Sequence, residues 1–218
     1  MSSPLFIAVD GGNSKTDVVV GDADGRLVAY VRGPGSSPHQ IGLPGALRVL
    51  DEMVGKALSA AGVTDIQLAS VFLAGADLPV EVERLTAEVG ALGWAPHATV
   101  DNDTFALLRT GTAARDAVAV VCGAGINCVG RRADGRTARF PALGQVSGDW
   151  GGGYHLAALA LYHAARGEDG RGPDTALIGA VTDHFGLSTV EAVSSALHLG
   201  EATVEQMHQL SKVLFAVA

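Results

Sequence analysis

The stretch FIAVDGGNSKTDVVVGDADG, residues 6–25, decides how the chain is interpreted. An apolar run ends at Asp10, a glycine pair and four small or polar residues follow, and a second apolar run comes next. This pattern is typical of two buried strands joined by a tight turn. A plain hairpin explains it. A turn whose backbone amides bind phosphate explains it equally well, because glycine permits a close approach that a side chain would block.

The composition limits the classes of function. The 218 residues are 48% hydrophobic and carry a net charge of −8. Because no cluster of Lys and Arg is present, we expect neither a nucleic-acid nor an anionic-membrane partner. No apolar run reaches about 18 residues, so no membrane span is predicted. The N-terminal residues also lack the basic region of a signal peptide, and we therefore expect a cytoplasmic protein.

The hydrophobic periodicity of the first half predicts alternating strands and helices. Strands are predicted at residues 5–10, 16–22 and 26–32, and the stretch GPGSSPHQIGLPG is interpreted as a loop. A helix follows at about 44–61, then a strand buried on both faces over IQLASVFLAGA (66–76). A helix at 80–92, a short strand ending in TVDND (99–103) and a helix starting in DTFALLRTGT complete this half.

The opening pattern occurs a second time in AVAVVCGAGINCVGRRADGRTARFPALG, residues 117–144. A helix is predicted at about 152–166, and only helices follow it. Two halves that open alike predict an internally duplicated fold, with domains at 1–113 and 114–218. A second copy of the first domain would continue with two more strands. We therefore expect the second domain to be incomplete and the chain to belong to a polypeptide of about 300 residues. A helical insertion that ends at Ala218 is the alternative.

Five motifs carry a family resemblance: DGGNSKTD (10–17), LAGAD (73–77), DNDTFALL (101–108), CGAGIN (122–127) and SGDWGGGYHLA (147–157). In this order they resemble the BadF/BadG/BcrA/BcrD ATPase family of the actin / sugar kinase / heat-shock ATPase superfamily. The resemblance implies an α/β fold of duplicated ribonuclease H-like domains with mixed sheets flanked by helices. It also implies a phosphotransferase that uses ATP to phosphorylate a hydroxyl, such as O6, of an amino sugar or its N-acetyl form.

The resemblance further implies two phosphate-binding turns and a metal site. Residues of the first turn expected to bind the cofactor are Gly11, Gly12, Asn13, Ser14, Lys15 and Thr16. Amides from Gly12 to Thr16 could converge on phosphate oxygens, and Gly123, Ala124 and Gly125 form the second turn. Asp10 lies where the superfamily has a carboxylate that holds Mg²⁺ through water. A divalent cation would let an acidic protein bind ATP.

Asp103 is the candidate catalytic base. A sugar hydroxyl that attacks the γ-phosphate must lose its proton, and a carboxylate within hydrogen-bond reach can accept it. Asp101 is the other aspartate of this motif, but the family pattern selects Asp103. Because Asp103 is also predicted at the N-cap of the next helix, a capping role alone is the competing explanation.

Sugar contacts are implied for a further set of residues: Gly75, Asn102, Asn127, Asp149, His39 and Gln40. Asn127 is equally compatible with ordinary turn chemistry. The chain departs from the family pattern at Trp150, where glutamate is usual, at Gly152 and Gly153, and at Pro38, where asparagine is frequent. His39 and Gln40 could replace that asparagine.

Two other functions remain open. One is an ATPase of the reductase-activator type, whose iron–sulfur cluster needs dedicated cysteines. Cys122 and Cys128 lie within and beside a glycine turn and are interpreted as buried thiols. The other is a sugar-binding sensor without catalysis. The histidines at 155, 163, 184, 198 and 208 are interpreted as ordinary helix residues. The expected partner is a small-molecule sugar, and a homodimer is compatible with the sequence.

Overall fold

The computed structural model describes residues 3–217 of the chain. Its first part forms a five-stranded sheet in the order β3-β2-β1-β4-β5. The strands are β1 (Leu5–Gly11), β2 (Lys15–Asp22), β3 (Leu27–Pro34), β4 (Leu68–Leu73) and β5 (Ala98–Asn102). The strands β1, β2 and β3 form an antiparallel meander, whereas β4 pairs parallel with β1 and β5 parallel with β4. The helices are α1 (Pro38–Ala61), α2 (Pro79–Ala91) and α3 (Asp103–Gly111).

The core of this sheet holds β1 in place. Ile7 and Val9 of β1 and Val18 of β2 are almost fully buried, and they pack with Leu50 and Val54 of α1. Burying an apolar side chain of this size contributes about 1.5–3 kcal/mol. The carboxyl end of β1, where Asp10 and the glycine pair lie, is therefore anchored by a well-packed strand.

Two details of the predicted elements are wrong. Strand β4 is not buried on both faces: Ala69, Val71 and Leu73 are buried, whereas Ser70 and Phe72 between them are only half-buried. The reason is that the core residues of α1 and α2 pack against one face of the strand.

The stretch predicted as a loop before residue 44 contains the first turn of α1. That helix begins at Pro38, because a proline at the first helical position needs no backbone N–H partner. The helix is interrupted at Gly42, whose φ of 71° and ψ of 160° are not helical.

The second part of the chain is a small sheet followed by helices. Strands β6 (Ala117–Cys122), β7 (Ile126–Arg131) and β8 (Thr137–Arg139) form a sheet in that order. A 3₁₀ turn at Gly144–Ser147 precedes α4 (Gly152–Glu168), α5 (Leu177–Phe185), α6 (Val190–Leu199), α7 (Val204–His208) and α8 (Leu210–Val217). The core of these helices is made of small and branched side chains such as Ala157, Ala160 and Val193.

The chain divides into two compact units. The first runs to Ala119 and also takes in Cys128–Pro141, and the second consists of Val120–Asn127 and the residues from Ala142 onward. An α/β fold with a mixed sheet flanked by helices confirms the predicted fold class. The two domains predicted with a boundary near residue 113 remain a prediction. Within residues 3–217, no helix is both long and apolar enough to cross a membrane.

Candidate active site

Three carboxylates belong to one edge of the first sheet. Gly11, Leu73 and Asn102 are neighbours across the parallel strands β1, β4 and β5. Asp10 directly precedes the first of them and Asp103 directly follows the last. Asp77 lies in the turn that follows β4. Ligands of open α/β sheets bind outside the carboxyl ends of the strands, so this edge is the candidate active site of the first unit.

The sequence predicted Asp103 at the N-cap of α3, and this prediction is wrong. That position belongs to Asn102, whose Oδ1 accepts a hydrogen bond from the Thr104 amide at 3.1 Å. Asp103 is the first residue of the helix itself. Asparagine takes the cap because its amide group can also donate, and its Nδ2 does so to Asp77 at 2.9 Å.

The surroundings of Asp103 hold its carboxyl pKa above the usual 3.8. The main cause is burial, which disfavours the charged form, and the negative charges of Asp10 and Asp77 add to it. Arg139 acts in the opposite direction but more weakly. A carboxylate with a raised pKa is a stronger base than an ordinary surface aspartate, and this is the property that general-base catalysis uses.

We expect Asp103→Asn to raise the melting temperature of the ligand-free protein at neutral pH. A carboxyl whose pKa is raised in the folded state destabilises that state when it is ionised, so a neutral amide removes the cost. For a protein of this size, each kcal/mol gained raises Tm by about 2–4 °C. The gain should shrink as the pH falls towards 3.8, the usual value, because the wild-type carboxyl is then protonated as well. Thermal unfolding at several pH values checks this, and a lower Tm for the variant at pH 7 would contradict it.

Asp77 joins two segments that are distant in sequence. Its Oδ1 accepts from Arg139 Nη2 at 2.8 Å and from Asn102 Nδ2 at 2.9 Å. Arg139 also donates through Nη1 to the Ala76 carbonyl oxygen at 3.0 Å. Burial raises the pKa of Asp77, against the lowering effect of Arg139. Neither Asp77 nor Arg139 was selected from the sequence, although Asp77 is part of the LAGAD motif.

The predicted sugar contacts His39 and Gly75 lie against each other. Gly75 has a φ of 90°, and a Cβ on it would lie 3.3 Å from Cγ of the His39 ring. The ring of His39 is half-exposed, and its Nε2 lies 3.0 Å from Glu81 Oε1. Glu81 in turn accepts through Oε2 from the amides of Asp77 and Leu78 at the start of α2. Gln40 is exposed on the same turn of α1.

The first glycine turn is tightly packed on one side and exposed on the other. A Cβ on Gly11 would lie 2.4 Å from both Leu73 Cδ2 and Ser36 Oγ, so this position accepts only glycine without rearrangement. Asn13 and Ser14 form the exposed tip of the turn.

Three of the residues predicted to contact phosphate in this turn bind other groups of the protein, Gly12 through its amide and Lys15 and Thr16 through their side chains. The Gly12 amide donates to the Lys15 carbonyl oxygen at 2.8 Å. The side chain of Thr16 is buried and donates to Ser36 Oγ at 2.8 Å. The ammonium group of Lys15 pairs with Asp17. Asn13 and Ser14 lie at the exposed tip, and their amides remain candidates for contact with phosphate.

The second glycine turn is built on the start of α4. The amide of Gly153 donates to the Gly123 carbonyl oxygen at 2.7 Å, and that of Tyr154 donates to the Ala124 carbonyl oxygen at 2.9 Å. The Gly123 amide closes the turn on the Gly125 carbonyl oxygen at 2.9 Å. The first turn is tied in a similar way, since the Ser36 amide just before α1 donates to the Gly12 carbonyl oxygen at 3.0 Å. Both turns are thus held through their carbonyl oxygens, and the tip residues of both turns are exposed: Asn13 and Ser14 in the first, Ala124 and Gly125 in the second.

We expect Gly152→Ala to destabilise the protein by about 2 kcal/mol or more. Gly152 has a φ of 79°, and a Cβ there would lie 2.7 Å from backbone atoms of Ala124 and Gly125. Gly179→Ala is the matched control, because a Cβ on Gly179 in α5 meets nothing within 4 Å. Urea unfolding of both variants checks the prediction, and equal midpoints for the two would contradict it.

Asp149 lines a cavity of about 400 Å³ in the second unit, together with Ala124 and Gly125 of the glycine turn. The side chain is buried, and its Oδ2 accepts from the Ala142 amide at 2.7 Å and from the Ser147 hydroxyl. Both of these bonds go to the same carboxylate oxygen. The arrangement fixes the orientation of the carboxyl group and directs the protein contacts to one of its two oxygens.

Two of the histidines interpreted as ordinary helix residues line this cavity. The ring of His155 stacks on Trp150 with 3.3 Å between centroids, and that of His208 stacks on Tyr154 with 3.6 Å. Trp150 precedes α4, which carries Tyr154 and His155, and His208 belongs to α7, so hydrophobic periodicity alone could not reveal the stacking. The sequence signal for this cluster was the position of Trp150, Tyr154 and His155 in the glycine-rich motif at 147–157.

The two cysteines differ from the prediction in their burial. Cys122 is exposed and Cys128 is half-buried, so the interpretation of both as buried thiols is wrong. They flank an exposed turn, where little apolar surface is available to cover them. Asn127 is half-buried at the start of β7, and its sugar contact remains a prediction.

Comparison with known proteins gives a consistent family match. The sequence model of the BadF/BadG/BcrA/BcrD ATPase family matches residues 7–215. An N-acetylmuramic acid/N-acetylglucosamine kinase from Clostridium acetobutylicum is 28% identical over 211 residues, covering 95% of this chain and 69% of that protein. An N-acetyl-D-glucosamine kinase from Dictyostelium discoideum is 26% identical over 230 aligned residues, covering 100% of this chain and 72% of that protein.

A solved structure supports the fold. A candidate N-acetylglucosamine kinase from Chromobacterium violaceum superposes with a TM-score of 0.72 at 21% sequence identity, covering 99% of this chain and 75% of that one. At 21% sequence identity, this structural similarity supports the fold alone.

Proposed function

Because the chain belongs to the BadF/BadG/BcrA/BcrD ATPase family, we propose that it is an ATP-dependent kinase of an amino sugar or N-acetylamino sugar. The observation that carries the proposal is the edge of the first sheet, where Asp10 and Asp103 lie at the carboxyl ends of parallel strands beside a glycine turn. The substrate class follows from the two curated relatives, which are kinases of N-acetylated amino sugars.

Asp103 acts as the general base in this proposal. It accepts the proton of the attacking sugar hydroxyl while the hydroxyl oxygen forms a bond to the γ-phosphorus. The bond from that phosphorus to the bridging oxygen breaks, and ADP leaves. Asp103 directly follows the Asn102 cap at the start of α3, and this position suits the role, since a base must be held within hydrogen-bond reach of the hydroxyl.

Backbone amides at the exposed tips of the two glycine turns bind phosphate oxygens in this proposal. Asn13 and Ser14 offer them in the first unit, and Ala124 and Gly125 offer them in the second. Asp10 is exposed and presents the carboxylate oxygens that Mg²⁺ prefers, so its surroundings fit a cation held through water. Mg²⁺ bound there would supply positive charge that offsets the charge of the phosphates.

Sugar hydroxyls bind to Asp149 in this proposal. The protein occupies Oδ2 of this carboxylate, and Oδ1 accepts from the sugar. On the first sheet, His39 and Gly75 belong to the same edge as Asp103 and are the candidates for further sugar contacts. Asn102 is buried with its side chain bonded to Thr104 and Asp77, which favours a structural role over the predicted sugar contact.

A substrate panel tests the proposal. With the full-length polypeptide, the release of ADP from ATP in the presence of Mg²⁺ is measured with N-acetylglucosamine, N-acetylmuramic acid, glucosamine or glucose as acceptor, and without acceptor as the background. We expect at least one amino sugar to raise the rate by about tenfold or more over that background, the scale of a productively bound substrate. Equal rates with and without every sugar would contradict the proposal and would favour a plain ATPase.

A further inference from the structure

We propose that Arg139 and Asp77 are positioning residues for phosphoryl transfer, which fix the side chain of Asn102 and, through it, the start of the helix that carries Asp103. The inference rests on the proposed function, since it identifies what holds the base of that reaction in place. Neither residue needs to touch sugar or nucleotide for this role.

The first step is the pairing of Arg139 with Asp77. Their side chains are only 18% and 10% exposed, and Nη2 of Arg139 donates to Asp77 Oδ1 at 2.8 Å. Its Nη1 donates to the Ala76 carbonyl oxygen at 3.0 Å, and its Nε to the Phe140 carbonyl oxygen at 3.2 Å. All three nitrogens of the guanidinium group are therefore engaged, which is what a largely buried charge requires. The orientation of the Asp77 carboxylate is thereby set by a rigid planar partner.

The second step is the contact between Asp77 and Asn102. The oxygen of Asp77 that binds Arg139 also accepts from Asn102 Nδ2 at 2.9 Å. An ionised carboxylate can only accept hydrogen bonds, so the NH₂ end of the Asn102 amide must face it. The carbonyl end is then turned towards Thr104, where it accepts from the backbone amide and from the hydroxyl. Asp77 thus determines which end of the Asn102 side chain caps α3.

The cap residue Asn102 is covalently connected to the proposed base, Asp103. Asn102 is the last residue of β5, and Asp103 is the first residue of α3, so no loop separates the cap from the base. An N-cap bond stabilises the start of a helix. A misplacement of about 1 Å in a reacting group can lower a rate by about 10²-fold. Loss of the Asn102 orientation should therefore be felt as slower transfer rather than as weaker binding.

Kinetics of four variants test the proposal. Asp77→Ala and Arg139→Met remove the two partners, and Asp77→Asn keeps an oxygen that can accept from Asn102. Arg136→Met is the matched control, because Arg136 lies before β8 in an exposed pair with Asp134. The rate kcat is expressed per ATP-binding site, counted by calorimetry, so that unfolded molecules do not contribute.

We expect kcat to fall about tenfold in Asp77→Ala and Arg139→Met, with KM for ATP and for sugar changed by no more than about twofold. Asp77→Asn should recover most of the loss, and Arg136→Met should match the wild type. If Asp77→Ala and Arg139→Met lower only Tm and keep the wild-type kcat per site, the pair is a structural bridge and the proposal is overturned.

A second measurement does not depend on activity. Hydrogen exchange of the Thr104 amide reports its bond to Asn102, and we expect it to be about tenfold faster or more in Asp77→Ala and unchanged in Arg136→Met. Unchanged exchange in Asp77→Ala overturns the proposal. If the wild-type protein transfers no phosphate at all, the proposed function fails, whereas Thr104 exchange still decides whether Asp77 fixes Asn102.

Discussion

Replacing Asp103 with Asn is expected to lower kcat for sugar phosphorylation by about 10²-fold or more, the usual scale for loss of a general base. The amide has the shape of the carboxylate but cannot accept the proton that the attacking hydroxyl must lose. KM for ATP should stay close to the wild-type value, because the glycine turns are unchanged. Initial rates of ADP release at saturating sugar measure the effect.

Asp101→Asn is the control for this prediction. Asp101 is the other aspartate of the motif, and its Oδ1 accepts from the Asn102 amide at 2.8 Å. An asparagine can accept the same bond, so the variant should keep nearly wild-type kcat. A large loss in Asp101→Asn together with normal turnover in Asp103→Asn would reverse the assignment of the base. The expected rise in the Tm of Asp103→Asn separates a chemical defect from unfolding.

The second large effect is expected at Asp149. Replacing Asp149 with Ala should raise KM for the sugar by about 10- to 100-fold, since a hydrogen bond to a charged group contributes about 1.5–3 kcal/mol. KM for ATP should change by no more than about twofold. Steady-state kinetics with each substrate varied in turn measure both constants.

Two further variants separate a sugar contact from support of the loop. Asp149→Asn keeps an oxygen for the Ala142 amide and loses the negative charge, so its sugar KM should lie between those of the wild type and Asp149→Ala. Ser147→Ala removes a bond to Oδ2 and leaves Oδ1 for the sugar, so its sugar KM should stay close to wild type. Equal increases in Asp149→Ala and Ser147→Ala would mean that Asp149 only holds the loop.

The sequence predicted the strands of the first unit well because their periodicity is strong. The strands predicted at 5–10, 16–22 and 26–32 are β1, β2 and β3, shifted by at most two residues at any end. Asp10 and Asp103 are the last residues of two predicted strands, and the family pattern selected them there. The burial of β4 was misjudged, since an apolar run does not reveal that the core residues of α1 and α2 pack against only one face.

The connections around Asp103 could not be predicted from local pattern. Asp and Asn are about equally good at an N-cap, and the choice of Asn102 depends on Asp77, which lies 25 residues away in sequence. The partner of Asp77, Arg139, is 62 residues further along the chain. Such contacts arise only when the strands are assembled. The same holds for the stacking of His208 on Tyr154, which brings α7 against α4.

The identity of the phosphorylated product tests the central claim most directly. The wild-type protein is incubated with ATP, Mg²⁺ and N-acetylglucosamine or N-acetylmuramic acid, and the phosphorus NMR spectrum is followed over time. We predict a new sugar phosphate monoester resonance that grows in step with ADP, and none in Asp103→Asn. ADP accompanied only by inorganic phosphate would identify an ATPase, and an unchanged ATP spectrum with bound sugar would identify a sensor. Either result would contradict the assignment of this protein as an amino-sugar kinase.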